Sequence, residues 1–541
     1  MKSVMLHNFS RIPQTEIPHS TFDRSHGLKT AFDSGYLVPI ECQEVLPGDI
    51  VDMDATFLAR LAPSVTPIFD NVFLDTSWFF VPSRLLWTNF TKMMGERVNP
   101  ADSIDYLVPQ LEAPEGGFAV GSLADYFGIP TGVAGLKVSA LPFRAYAKIW
   151  DDWYRDENLQ NSVIQSSDDL GDSNGTIAWN TLLRRGKRHD YFTSCLPWPQ
   201  KGDGVELPIG NNAPVVGNGN VLGLTNGTDS FGLTTNYQYN YGKDLVGQKV
   251  GTTGSNYSVP DVKGVGVVSD ATKSGLIADL SQATAATINS LRMAFQLQRL
   301  LETDARGGTR FVEIIRNHFK TICPDARLQR PEYLGGSSTL IDFLPIAQTS
   351  SSDSTTPQGN LVAQPKGVGR CKFKKAFSEH GYLIGLANVR VDLNYQQGLN
   401  RMWSRRGRYD FFWPTLQNLG EQAVLNKEIY AQGPSVKDDG GNAVDDKVFG
   451  YQERYAEYRY NPSIITGKMR STATGTLDVW HLAQKFDKLP TLSAEFIEDT
   501  PPLKRVLAVT DEPEVLFDSY LGQKWTRPMG TYSIPGLIDH L

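Results

Sequence analysis

The sequence predicts an all-β fold in which antiparallel strands are separated by long excursions. Three observations carry this. Segments with two-residue alternation of apolar and polar side chains are short and bounded by Pro and Gly. They lie far apart in the 541 residues, unlike regularly alternating βα units. Helical periodicity is confined to a few places.

The clearest strand spans 48–58, where Val51, Met53, Ala55 and Phe57 share one face and Asp52, Asp54 and Thr56 the other. Further strands are expected at 76–81, 388–393, 475–482 and 505–510. One helix is expected after Ser139 and Pro142, from the spacing Leu141, Ala145, Ile149, Trp153 with Tyr146, Trp150 and Tyr154. A second is expected over 281–304, stopped by Gly307-Gly308, and a third begins near Thr309 and carries Phe311, Ile314, Ile315, His318 and Phe319. Together they make a helical insertion over 281–320.

Size and composition bound the rest. A chain of 59.9 kDa exceeds what one core supports, so it needs two domains or one domain with large insertions. With 40% hydrophobic and 21% charged residues it is globular. Its net charge of −7 argues against a surface that binds polyanions everywhere, and any nucleic acid must meet local patches. Cys42, Cys195, Cys323 and Cys371 form no Cys-x-x-Cys pair, so reduced, mostly buried thiols are expected. The first ten residues lack an apolar signal core and no run approaches a membrane span, so neither export nor membrane insertion is expected.

Residues 208–260 stand apart. From Ile209 to Pro260 there are ten Gly, eight Asn and four charged residues, with Tyr237, Tyr239, Tyr241 and Tyr257 among them. Gly and Asn tolerate turns and Tyr offers rigid adhesive area, which suits a projecting recognition loop, although a passive flexible insertion shares the composition. The stretch 348–364, rich in Ser and Thr, reads as a mobile surface loop.

Two further segments invite function. In Gly450-Tyr-Gln-Glu-Arg-Tyr-Ala-Glu-Tyr-Arg-Tyr460, residues Tyr451, Arg454, Tyr455, Tyr458, Arg459 and Tyr460 have the makings of an interface with other subunits. Packing on the chain's own core is the plain alternative. In Arg401-Met-Trp-Ser-Arg-Arg-Gly-Arg-Tyr-Asp-Phe-Phe-Trp413, residues Arg401, Trp403, Arg405, Arg406 and Arg408 combine cations with stacking surface, as single-strand DNA binding requires. Packing between subunits would use the same residue types. Patches at 184–189 and at Arg370, Lys372, Lys374 and Lys375 are weaker DNA-facing candidates.

No catalytic, phosphate-loop or metal-helix motif occurs, and no catalytic residue, cofactor or metal is expected. Asp168, Asp169, Asp172 and Asn174, and Asp438, Asp439, Asn442, Asp445 and Asp446, lack a spaced calcium loop and read as solvated turns. His189 and His318 read as structural.

Several segments, running from near the first residue to near the last, resemble one family. They are Ser20-Thr-Phe-Asp-Arg-Ser-His-Gly27, Glu44-Val-Leu-Pro-Gly-Asp49, Ala140-Leu-Pro-Phe-Arg-Ala-Tyr146, Gly186-Lys-Arg-His-Asp-Tyr-Phe-Thr-Ser-Cys-Leu-Pro-Trp-Pro199, Asp304-Ala-Arg-Gly-Gly-Thr309, Pro324-Asp-Ala-Arg-Leu-Gln-Arg-Pro-Glu-Tyr333, the 450–460 segment and Pro535-Gly-Leu-Ile-Asp539. The resemblance is to the major capsid proteins of the small icosahedral single-stranded-DNA phages, the microviruses, in their gokushovirus branch. It implies an eight-stranded antiparallel jelly roll over 1–541 with large loop and short helical insertions. It also implies an N-terminal arm over 1–35 and an outward hypervariable insertion at 208–260, though this loop's own sequence resembles none in the family. Sixty copies would form a T=1 shell around circular single-stranded DNA, assembled in the bacterial cytoplasm. The implied partners are further copies of the chain, the packaged DNA, a minor capsid or pilot protein and a host receptor. Because the subunit is acidic, a small basic DNA-binding protein is expected as well. The competing classes are a β-sandwich glycan-active enzyme, which needs one cleft with a general acid of raised pKa, and a stand-alone adhesin, which needs no self-association.

Overall fold

The computed structural model describes residues 18–164, 167–169, 181–205, 215–217, 223–225, 230–232, 266–267, 276–278, 288–352 and 357–532. The elements that matter here are β1 (Ser20–Asp23), β2 (His26–Phe32), β3 (Val38–Val45), β4 (Ile50–Leu61), β5 (Val72–Pro82), α1 (Leu141–Trp153), α2 (Ile288–Arg306), β6 (Glu332–Ala347), β7 (Leu361–Ala376), β8 (Gly381–Val391), β9 (Glu421–Leu425), β10 (Val448–Glu453) and β11 (Val515–Arg527).

Nine of these strands make one antiparallel sheet, with β1 and β2 both on β11, followed by β4, β7, β6, β5, β8 and β3. Asp23 lies opposite Lys524 and His26 opposite Leu521, so β1 and β2 keep one register across the gap at Arg24-Ser25. Counted as a single interrupted strand, they give eight positions. Strand β6 is the corner. Its Glu332 to Ile341 stretch pairs with β5 and its Asp342 to Ala347 stretch with β7, dividing the sheet into two layers of four positions. The register slips between Tyr333 and Gly335, and at Gly336 a Cβ would lie 2.3 Å from the Thr76 carbonyl oxygen, so this bulge requires glycine.

The layers face each other across one core. From β4 come Val51, Met53, Ala55, Phe57, Ala59 and Leu61, from β11 Phe517, Leu521 and Trp525, and from the opposite layer Leu74, Trp78, Leu383 and Ala387. Phe373 of β7 meets Trp78 of β5 with ring centroids 5.8 Å apart. This is an all-β jelly-roll arrangement, as the sequence predicts.

Beyond its midpoint β5 is buried on both faces, as is β8 from Leu383 onward, and helix α1 covers the outer face where the end of β5 meets the start of β8. Phe79, Val81, Ile384 and Leu386 pack there against Leu141, Ala145, Tyr146 and Ile149, the stripe read from the helical spacing. A third cluster joins Tyr191, Phe192, Tyr395, Ile429, Phe449 and Phe496 beside the β9–β10 hairpin.

Some expectations need correction. Residues 475–482 and 505–510 are not strands but turns, Asp478–Trp480 and Leu503–Arg505. Their apolar alternation records Leu482, Val506 and Leu507 docking on the main core, and their strand pairing is limited to one isolated antiparallel bridge between Leu507 and Ser64. The stretch 348–364 connects the β6–β7 hairpin, and its last four residues already belong to β7. Of the arm expected over 1–35, residues 20–32 are sheet strands, and 1–17 lie outside the described residues. In the third helix Phe311 and Phe319 are exposed rather than packed on a core.

By contacts the chain divides into two compact units, 1–201 with 302–541, and 202–301. Within the second, Val215–Gly217 pairs with Leu276–Ala278, and Gly223–Thr225 pairs with Ser230–Gly232 and Gly266–Val267. Tyr237, Tyr239, Tyr241 and Tyr257 lie outside the described residues.

Candidate functional site

The two aromatic and basic segments singled out in the sequence fold against each other. Strand β10 runs into Tyr455, a non-glycine residue with φ of 64°, and this left-handed turn sends the chain under residues 411–412. Tyr455 is 2% exposed. Its hydroxyl donates to the Phe411 carbonyl at 3.2 Å, and its ring lies 5.1 Å from that of Phe412. The Phe412 ring also meets Tyr458, whose hydroxyl oxygen accepts the Phe412 N–H at 3.3 Å. Tyr455 therefore offers almost no area to a neighbour, and its expected interface role is corrected to that of a core anchor. Tyr458 and Tyr460, 50% and 52% exposed, do present area.

The cations sort in the same way. Arg401 donates to the Glu428 carboxylate at 3.0 Å and to the Ala423 carbonyl at 2.7 Å. Arg405 donates to Glu457 at 3.2 Å, with its guanidinium 4.3 Å from the Tyr458 ring centroid. Burial raises the pKa of Glu428, which Tyr191 and the Leu425 N–H also bind. Arg401 and Arg405 thus hold the segment to the hairpin and have little charge left for DNA. Arg406 and Arg408 have no carboxylate partner among the described residues; Arg408 stacks on Trp413 at 4.8 Å. Backbone N–H groups of Gly407 and Arg406 hold the Asp410 carboxyl below its ordinary range. Arg459 is tied to Glu453 at 2.5 Å.

What remains is an exposed aromatic surface. Trp403 and Tyr409 are each 70% exposed, and Met402, Phe411, Phe412 and Trp413 accompany them. A contiguous group of this kind is rare on a protein that works alone and common where it binds another. Tyr409, Glu428 and Glu457 escaped the sequence reading: the aromatic density around Tyr409 was visible, but the distant acids that neutralise Arg401 and Arg405 were not.

The other candidates are structural. Arg184 donates to the carbonyls of Ser34 and Asp499, Arg185 pairs with Asp75 at 2.5 Å, and Lys187 donates to the Phe496 carbonyl at 2.5 Å. Burial pushes Lys187 down to about 8. On β7, Arg370 and Lys372 face Asp54 and Lys374 faces Asp52, while Lys375 pairs with Glu332, so this patch is largely neutralised. Asp169 accepts from Trp87 and Asn89, and Asp438 from Lys447 and the Asn442 N–H. Asp172 and Asn174 lie outside the described residues. His318 sits 2.7 Å from Asp304. Among the described residues no group of three or more His, Cys, Asp or Glu could hold a metal ion.

A cleft of about 990 Å³ lies between residues 153–158, 185–196 and 305–322. Within it burial and a hydrogen bond with Glu157 push Glu313 up to about 7. Both carboxyls contact Arg310, at 3.0 and 3.2 Å. They touch each other, whereas glycoside hydrolysis needs two carboxyls about 5 Å or more apart with the sugar between them. The pair locks the end of α1 to residues 308–313.

Comparison with known proteins agrees with this. The model of the capsid protein (F protein) family matches residues 10–537. The capsid protein VP1 of Bdellovibrio phage phiMH2K is 47% identical, covering 98% of this chain and 97% of that protein. The capsid protein VP1 of Chlamydia phage 1 is 44% identical over 99% and 98%, and that of Spiroplasma virus 4 is 38% identical over 98% of each. This chain belongs to the capsid protein (F protein) family, as a major capsid protein of the gokushovirus type, and its role is structural rather than enzymatic.

Proposed function

We propose that sixty copies of this chain close into a T=1 icosahedral shell around circular single-stranded DNA, and that copies meet through the surface built by 402–413 and 458–460. The observation that carries this is the 70% exposure of both Trp403 and Tyr409 in the single subunit. Burying large aromatic rings between copies is a strong and direction-dependent drive for assembly. Trp403, first assigned to DNA, goes with this interface. Arg406 and Arg408 remain for the DNA backbone, and Tyr451, Arg454 and Arg459 flank the contact.

The net charge of −7 leaves most of the genome's charge to a small basic protein. A minor capsid or pilot protein completes the particle, which assembles in the bacterial cytoplasm. Among the described residues no helix is long and apolar enough to cross a membrane. The 208–260 insertion, by its Gly, Asn and Tyr composition, faces the host receptor through Tyr237, Tyr239, Tyr241 and Tyr257, and residues 1–17 serve as an arm to a neighbour. Light scattering and negative-stain imaging of the purified chain test the reading. Closed particles or pentamers support it, and a strictly monomeric protein at every concentration rejects it.

A further inference from the structure

A pocket of about 280 Å³ lies beneath the aromatic surface, between residues 401–410 and the β9–β10 hairpin, with Tyr409 on its lining. Its donors outnumber its acceptors. Glu428 already accepts from Arg401, the Leu425 N–H and the Tyr191 hydroxyl. Glu457 accepts from Arg405 at 3.2 Å and from Gln422 at 3.0 Å, with Arg401 Nε 4.0 Å away. Asp410 is held by the N–H groups of Arg406 and Gly407, and Lys427 is paired with Asp446.

Arg454 has no carboxylate partner among the described residues; its guanidinium rests 4.9 Å from the Tyr455 ring centroid. Arg454 Nε, Arg405 Nε and Ser404 Oγ are all buried without a hydrogen-bond partner among the described residues. Buried donors without acceptors are costly, and here the three residues that carry them all line one small pocket. The single subunit leaves this site unfinished.

We infer that this pocket receives a carboxylate side chain from a second copy of the chain, bound chiefly by Arg454, with Ser404 and the one Arg405 N–H that its pair with Glu457 leaves over, as the aromatic surface closes. The inference rests on the assembly reading above. Guanidinium groups bind planar carboxylates through paired N–H bonds, and the volume suits a side-chain tip. A second copy is the source because the pocket reaches Tyr409, on the surface where copies meet, and because the chain has 59 acidic against 52 basic residues.

The test uses full-length wild type and Arg454→Gln. Particle yield is measured by sedimentation at fixed ionic strength in chloride, acetate or inorganic phosphate, and folding by thermal melting. The variant should melt as a folded subunit yet assemble about tenfold less well, the loss expected for one charge-assisted contact. Acetate should depress wild-type yield relative to chloride, and leave the variant unaffected. Wild-type yield from the variant, equal effects of acetate and chloride, or inhibition by phosphate alone would each overturn the inference, the last in favour of a nucleic-acid phosphate. If the variant does not fold, the wild-type comparison of acetate with chloride decides alone. Trp403→Ala with Tyr409→Ala separates the two levels. Loss of particles there with normal yield from Arg454→Gln sinks only the pocket, and normal yield from both sinks the assembly reading too.

Discussion

The β sandwich and the 401–460 region solve the same problem in opposite ways. In the sandwich, apolar side chains alternate inward and the outward face is charged and cross-paired, as in Arg370 with Asp54 and Lys29 with Asp518. In the 401–460 region, internal pairing consumes the charges of Arg401 and Arg405 while Trp403, Tyr409, Tyr458 and Tyr460 face water. A subunit that neutralises its cations internally and leaves its aromatic rings outside is adhesive towards protein more than towards polyanions. The scaffold therefore carries the fold and the excursions carry the assembly.

The contrast is broken most severely by Trp403→Ala with Tyr409→Ala. Each truncation at an interface hot spot costs about 2 kcal/mol, repeated at every contact of the shell, so sedimentation should show particles lost. Monomer melting should hold within about 0.5 kcal/mol, because exposed positions contribute little to folding. Trp525→Ala is the converse. Its side chain is fully buried in the main core, and chemical denaturation should show a loss of about 3–5 kcal/mol. Tyr455→Ala should behave like Trp525→Ala, with about 3 kcal/mol lost, although it lies in the same segment as Tyr458. If Tyr455→Ala instead left monomer stability intact and only reduced assembly, the division drawn within that segment would be wrong.

Smaller effects sharpen the comparison. Glu313, raised to about 7, favours its protonated form in the folded chain. Its contribution to stability is complete below the unfolded carboxyl value near 4.5 and is lost as pH rises through about 7. Glu313→Gln, which mimics the protonated form, should raise the melting temperature above pH 7 and leave it unchanged at pH 4. A fall at both pH values would show that the pair does not act through its proton. Last comes Asp54→Ala, which removes the half-buried surface partner of the exposed Arg370 and should shift thermal melting by no measurable amount.

Much of the fold could be read from the chain because β4 and α1 have clean periods, two residues in one and 3.6 in the other. Strand β11 was hidden because Ser519 and Gln523 occupy inward positions and break its apolar alternation; Gln523 is there to accept from the Trp525 indole. Strand β7 was hidden because its first residues lie in a polar stretch and its outward cations imitate a DNA patch. At the site, the types of residue were legible and their sorting was not. Whether an Arg is spent or available depends on Glu428 and Glu457, which lie 27 and 52 residues from the Arg they bind. The left-handed turn that buries Tyr455 leaves no mark in composition.

Hydroxyl-radical footprinting of free subunits and assembled particles tests the central claim most directly. Trp403, Tyr409 and Tyr458 should be reactive in the free subunit and protected in the particle, while Tyr455 stays protected in both. Equal reactivity of Trp403 and Tyr409 in the two states would contradict the account.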